Sequence, residues 1–190
     1  MVEIRFHGRG GQGTVVASKI LATAMVREGK YVQAFPEYGV ERRGQPVSAF
    51  IRIDAKRVNL RCKIYEPDHV VVLDPTLLEA VDVTAGLKDG GWLIINSSEN
   101  PKNLPFAKKY RLGIVDATQI AVKHGLGSKT APIVNTAILG AFAKLTGFVK
   151  IESVAQVAYE LAPVKREENV KAVMEAYKLV HADASRTKIA

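Results

Sequence analysis

The sequence predicts an α/β protein: a three-layer α/β/α domain on a mostly parallel mixed sheet, with a C-terminal helical segment. Three observations carry that prediction. Strand-like and helix-like segments alternate along most of the chain. Two strand-like runs, His69-Val70-Val71-Val72-Leu73-Asp74 and Trp92-Leu93-Ile94-Ile95-Asn96, are almost uninterrupted in apolar residues, as strands buried on both faces require. A glycine turn sits between the first strand and the first helix. At 190 residues the chain suits one domain. We divide it into a sheet core over 1–134 and a helical part over 135–190.

Val2 to Phe6 alternates polar and apolar residues, the period of a half-buried strand. Thr14 to Glu28 is rich in alanine and lines Val16, Ala17, Ile20, Leu21, Thr23 and Ala24 along one side, a helix facing a sheet. Gly29 suits the φ > 0 position that ends such a helix. Tyr31 to Phe35 is a second strand, stopped by Pro36. A right-handed crossover would make it the parallel neighbour of the first. Val47 to Ile53 alternates again, and Val58 to Arg61 is expected to fold back on it as a hairpin. After the run ending at Asp74, Pro75 opens a helix in its first turn. Tyr110 to Val115 is a further strand, and Asp116 can cap a helix from Ala117 to His124. Helices then follow over Asn135 to Leu145, Ile151 to Leu161 and Glu167 to Ala182. On the last, Val170, Val173, Tyr177 and Val180 share a face.

Composition excludes several classes. No run of 18 apolar residues exists, so no membrane span is expected. The amino-terminal residues show no secretory pattern, and the cytoplasm is the expected location. Cys62 is the only cysteine, too few for a disulfide or a cysteine-held iron–sulfur cluster. The net charge of +8 is spread along the chain without a basic tract. No nucleic-acid module accompanies it, so an acidic ligand or protein surface is the expected partner.

Gly8-Arg9-Gly10-Gly11-Gln12-Gly13 matches G-x-G-x-x-G between a strand and a helix. Glycines let backbone N–H groups approach an anion at a helix N-terminus, where the partial charge is positive. Arg9 could add a charge-assisted contact and Thr14 a hydroxyl. The plainer alternative is a tight turn that needs small residues. A dinucleotide fold places an acid at the end of the second strand, and Glu37 lies beyond a proline there. No Gly-Lys-Ser/Thr follows, which excludes a P-loop. Pro36 to Gln45 forms a charged loop with Arg42, Arg43 and Gly44 at the carboxyl end of a strand. Arginine forks there suit phosphate or carboxylate, or equally a partner protein.

The glycine loop with Thr14, the stretch Pro36-Glu37-Tyr38-Gly39 to Gly44, and Tyr65-Glu66-Pro67-Asp68 ahead of an apolar strand together resemble the gamma subunit of 2-oxoacid:ferredoxin oxidoreductases, the pyruvate synthase type included. The resemblance runs in order over nearly the whole chain. It implies a subunit of a heteromeric complex that cleaves a 2-oxoacid with coenzyme A, giving acyl-CoA, carbon dioxide and reduced ferredoxin. It implies partners of alpha, beta and delta type, which carry thiamine diphosphate, Mg²⁺ and the iron–sulfur clusters. This chain would hold none of these alone and would border the coenzyme A site. The candidate contacts are Gly8, Arg9, Gly10, Gly11, Gln12, Gly13, Thr14, Arg42, Arg43 and Gly44, with no catalytic or metal-binding residue. The nearest approach to the Gly-Asp-Gly of thiamine-binding chains is Asp89-Gly90-Gly91. A free-standing Rossmann-like dinucleotide oxidoreductase is the competing reading, and a homodimer of the isolated chain stays open.

Other residues have simpler roles. His7 could be an acid or base, but a residue there more often orders the turn. His69, His124, His181 and Cys62 lack metal spacing. Cys62 reads as a small buried side chain, Asp74 and Asp116 as helix caps, and Asn135 and Thr136 as a cap within possible reach of a ligand.

Overall fold

In a computed structural model, residues 1–37, 44–60, 62–100 and 109–183 are described. β1 (Val2–Arg9) leads through the glycine turn into α1 (Thr14–Arg27), followed by β2 (Tyr31–Glu37) and β3 (Pro46–Asp54). β4 (His69–Val72), the single-turn α2 (Leu77–Ala80), β5 (Trp92–Asn96), β6 (Arg111–Val115) and α3 (Ala117–Lys123) complete the central run. A small hairpin, β7 (Gly127–Ser128) and β8 (Ala131–Pro132), precedes α4 (Asn135–Thr146), α5 (Ile151–Leu161), α6 (Arg166–Leu179) and β9 (His181–Ala182).

Among the described residues, seven strands form the main sheet in the order β2-β3-β1-β4-β5-β6-β9. β1, β4, β5 and β6 are parallel, while β2, β3 and β9 join by antiparallel pairing. The side-chain period of two sorts the central strands cleanly. Val71, Leu73, Trp92 and Ile94 face a large core under α1 and α3 to α6. Val70, Val72, Leu93, Ile95, Leu112 and Ile114 face a thinner layer made by Leu77 of α2 and by Val83 and Leu87 of the following loop. Arg5 fastens that loop: its guanidinium donates to the carbonyls of Val83 at 3.1 Å and Ala85 at 2.6 Å.

Four expectations about the sheet and its edges change. β2 is not beside β1, because β3 lies between them and pairs with both. That leaves β3 no free edge, so the Val58–Arg61 hairpin does not form; Val58 to Leu60 is not strand, and Arg61 lies outside the described residues. Pro36 does not stop β2, which runs on to Glu37 as an edge strand, where a missing N–H costs little. The last helix ends at Leu179, and β9 pairs with Gly113 and Ile114 on the open edge of β6.

α4 and α6 meet at Gly140, where an added Cβ would lie 2.0 Å from the carbonyl oxygen of Val173. On α6 the buried face is Asn169, Ala172, Val173 and Ala176 rather than the expected one centred on Val170. The other sheet face carries a buried charge. Arg52 of β3 is 1% exposed and donates to Glu3 at 2.7 Å, Gln33 at 3.1 Å, and the Lys63 carbonyl at 3.2 Å, with Cys62 Sγ at 3.5 Å. Cys62 itself is exposed, not buried as expected.

Candidate functional site: the glycine turn at the start of α1

β1 delivers the chain to the carboxyl end of the sheet and Gly8 to Gly13 reverse it into α1. Two positions need glycine for the backbone: Gly11 has φ 98° and Gly13 φ 81°. Gly8 is needed for space instead, since a Cβ there would lie 2.1 Å from Thr14 Oγ1. Gly13 is the N-cap of α1, and no side chain caps the helix. The first-turn amides therefore face outward without an intrahelical acceptor, the arrangement that attracts anions. Thr14 is 3% exposed, and its Oγ1 has no partner among the described residues.

Side chains hold the turn in place. Gln12 Oε1 accepts from Arg9 N at 2.8 Å, and Gln12 Nε2 donates to Asp74 Oδ2 at 2.6 Å. The Arg9 guanidinium donates to Thr76 Oγ1 at 2.7 Å and the Gly44 carbonyl at 3.1 Å, and sits 3.4 Å from Asp74. Gly10 N donates to the Gln45 carbonyl at 2.9 Å, and Gly44 N to the Gly10 carbonyl at 3.1 Å. Gly44 is thus brought to the glycine turn; Arg42 and Arg43 lie outside the described residues.

Asp74 does not cap α2, whose N-cap is Thr76. Its Oδ1 accepts from Thr76 N at 2.9 Å and Oγ1 at 2.6 Å, while Oδ2 receives Gln12. Burial alone would raise this carboxyl; bonds from Thr76 and Gln12 and the Arg9 charge outweigh it and hold the group below the usual range. Asp116 does cap α3, accepting from Gln119 N at 2.7 Å. His7 accepts at Nε2 from Arg5 Nε at 3.0 Å. Burial, and then the Arg5 charge, push its pKa down to about 4. His7 is neutral at pH 7 and its bonded nitrogen is occupied, which fits the structural reading.

Beside the turn lies a cleft of about 400 Å³, lined by Gly11, Gly13, Val16, Ile133, Asn135 and Val164 among others. Asn135 is the first residue of α4 rather than its N-cap, which is Val134. Sequence reasoning missed three parts of this site: the anchor Asp74–Thr76, the Gln45 carbonyl, and the cleft. No local pattern reveals them, because each joins segments more than thirty residues apart.

A family model described as pyruvate ferredoxin/flavodoxin oxidoreductase matches residues 3–179. The chain belongs to the pyruvate ferredoxin/flavodoxin oxidoreductase family. It is 58% identical over 181 residues to the common gamma subunit of pyruvate/ketoisovalerate oxidoreductases from Thermococcus kodakarensis, covering 93% of this chain and 96% of that one. Its fold matches the crystal structure of the pyruvate oxidoreductase subunit PORC of Thermotoga maritima with TM-score 0.80 and 36% identity, over 96% of this chain and 98% of that one. A 2-oxoglutarate:ferredoxin oxidoreductase from Magnetococcus marinus, solved with 2-oxoglutarate, coenzyme A and succinyl-CoA, shares the fold alone: TM-score 0.73, 17% identity, 93% of this chain and 30% of that one.

Within this family the chain is a gamma subunit of a 2-oxoacid:ferredoxin oxidoreductase, and it acts as part of a multi-subunit complex. The free-standing dinucleotide enzyme is not favoured. Among the described residues no helix is long and apolar enough to cross a membrane, and no three His, Cys, Asp or Glu side chains come together as a metal site.

Proposed function

We propose that the turn Gly8–Thr14 and the first turn of α1 bind the phosphates of coenzyme A where this gamma chain meets its partner subunits. The observation that carries the reading is the uncapped start of α1, next to two left-handed glycines and an unpartnered Thr14 hydroxyl. Backbone amides and the helix dipole favour a phosphate there without any lysine. Arg9 and Gln12 act as positioning residues, because their polar atoms already hold Asp74, Thr76 and Gly44. Gly44 stands beside the turn, and Arg42 and Arg43 immediately before it add positive charge to the same loop in sequence. Thiamine diphosphate, Mg²⁺ and iron–sulfur clusters belong to partners of alpha, beta and delta type, which pass electrons to ferredoxin in the cytoplasm. The single cysteine supports that division of labour.

Val16→Asp in the assembled oxidoreductase tests the reading. Val16 is 38% exposed in the first turn of α1, so a carboxylate there suits the dipole while repelling a phosphate. KM for coenzyme A should rise at least about tenfold, with KM for the 2-oxoacid and thermal stability unchanged, since one lost charge-assisted bond costs about 1.5–3 kcal/mol. An unchanged KM for coenzyme A contradicts it.

A further inference from the structure

β2 ends the main sheet on one side, and among the described residues no strand pairs with its outer edge. The neighbouring ladders fix which backbone groups face that edge. The carbonyls of Glu3 and His7 in β1 accept from Asp68 N and Leu73 N, both at 2.8 Å, on the side of β4. Ile4 and Phe6 therefore bond to β3, opposite Ile51 and Ala49. Arg52 and Phe50 of β3 are left to bond Gln33 and Phe35 of β2. Val32 and Ala34 then turn their N–H and C=O groups to the open edge, and Pro36 its C=O alone. Native edges are normally blunted by charge, proline or a bulge. From Tyr31 to Phe35 there is neither charge nor proline, and the register with β3 is unbroken.

The segment after β3 flanks this edge and is basic. Residues 55–65 hold Lys56, Arg57, Arg61 and Lys63 in sequence and no acid. The segment lies against β2 through Gln33 Nε2, which donates to the Leu60 carbonyl at 2.6 Å, and through the ion pair of Lys63 with Glu37. Lys56 and Arg57 are exposed, and neither side chain is paired among the described residues. Two exposed apolar residues, Tyr31 at 52% and Leu60 at 44%, accompany them. We propose that the outer edge of β2 receives an extended acidic segment of a partner subunit as an added strand, bonded at Val32, Ala34 and Pro36, with carboxylates against Lys56 and Arg57. Backbone pairing supplies the affinity, and the flanking charge selects the occupant. A second copy of this chain does not suit the edge. Pairing two β2 strands would bring two basic rims side by side, on chains that each carry +8. This surface is independent of the phosphate site.

Amide exchange resolved by residue, in the isolated full chain and in the assembled oxidoreductase without ferredoxin, tests this. Gln33 and Phe35 should be protected in both, because β3 holds them. Val32 and Ala34 should exchange freely in the isolated chain and at least about tenfold more slowly in the complex. A zero-length carbodiimide, which joins amines to carboxylates, should link Lys56 to another subunit, and Lys56→Arg should abolish that link. Lys56→Glu/Arg57→Glu should weaken association of the chain with its partners at least about tenfold at low salt and less at high salt, with the Tm of the isolated chain unchanged. Ala34→Pro removes one outward N–H without touching the bonds to β3, and should weaken association as well. Val32 and Ala34 exchanging equally fast in the complex overturn the added strand. Unchanged association in Lys56→Glu/Arg57→Glu overturns the acidic occupant. Protection that appears only on adding ferredoxin, or a Lys56 link between two copies of this chain, overturns the assignment to a partner subunit.

Discussion

Gly8→Ala isolates the packing that shapes the glycine turn. Gly8 has no left-handed φ, so alanine brings no backbone strain. The cost is steric alone. The new Cβ would lie 2.1 Å from Thr14 Oγ1 and 3.4 Å from Leu73 Cβ, where ordinary contact begins near 3.4 Å. Thr14 is β-branched and buried in the first turn of a helix, so its hydroxyl has little room to move. Overpacking of this kind costs about 1–3 kcal/mol. Thr14→Ala alone should cost little, because its hydroxyl is buried without a partner. The double variant Gly8→Ala/Thr14→Ala should then recover most of the loss, giving a coupling energy of about 1–3 kcal/mol. Equilibrium urea unfolding of the four proteins measures it, and each 1 kcal/mol should appear as about 2–4 °C in Tm for a chain of this size. A Gly8→Ala penalty under about 0.5 kcal/mol, or one that persists undiminished with Thr14→Ala, refutes the steric reasoning.

Other consequences are equally direct. Arg52→Ala should destabilise the chain by about 3–5 kcal/mol in the same assay, because it strands the Glu3 carboxylate against a buried face; Glu3→Gln should cost less, since Arg52 keeps its other acceptors. Gly140→Ala should destabilise more than Gly147→Ala, read by Tm: the first drives a methyl into the Val173 backbone, while the second meets nothing within 4 Å and bears only the left-handed penalty at φ 65°. Acid should weaken the fold through two histidines. Burial lowers His7 and His69 to about 4, and each ring accepts a hydrogen bond, from Arg5 Nε and Trp92 N respectively. Their folded pKa lies below the unfolded value of about 6.5. Their contribution is therefore complete above pH 6.5 and lost as pH falls toward 4, by up to about 3 kcal/mol each. His69→Gln should flatten the stability–pH curve in that window; an unaltered slope contradicts the assignment.

Most of this fold is legible in the sequence because its signals are local. The apolar runs at β4 and β5 and the Asp116 cap each depend on neighbours in the chain, and they appear where periodicity places them. The errors in sheet topology are non-local. The insertion of β3 between β1 and β2 follows from a competition for sheet edges that no window of residues contains. β9 exists because β6 offers an open edge, while the apolar period of α6 would carry the helix further. The glycine turn itself was readable, since strand, glycines and helix are contiguous. Its supports were not: Asp74 looks like a cap after a strand, and only the folded chain shows Gln12 and Arg9 reaching it. Asn135 likewise looks like a helix start until its amide is found facing Gly13.

The central claim is that main-chain amides at the start of α1 hold the phosphates of coenzyme A. Amide hydrogen exchange of the intact complex with and without coenzyme A, followed in peptides spanning Gly8 to Val16, tests it most directly. Slowed exchange in that segment on adding coenzyme A, weakened in Val16→Asp, is the predicted result. Exchange there that coenzyme A leaves untouched, while segments of other subunits become protected, would contradict it.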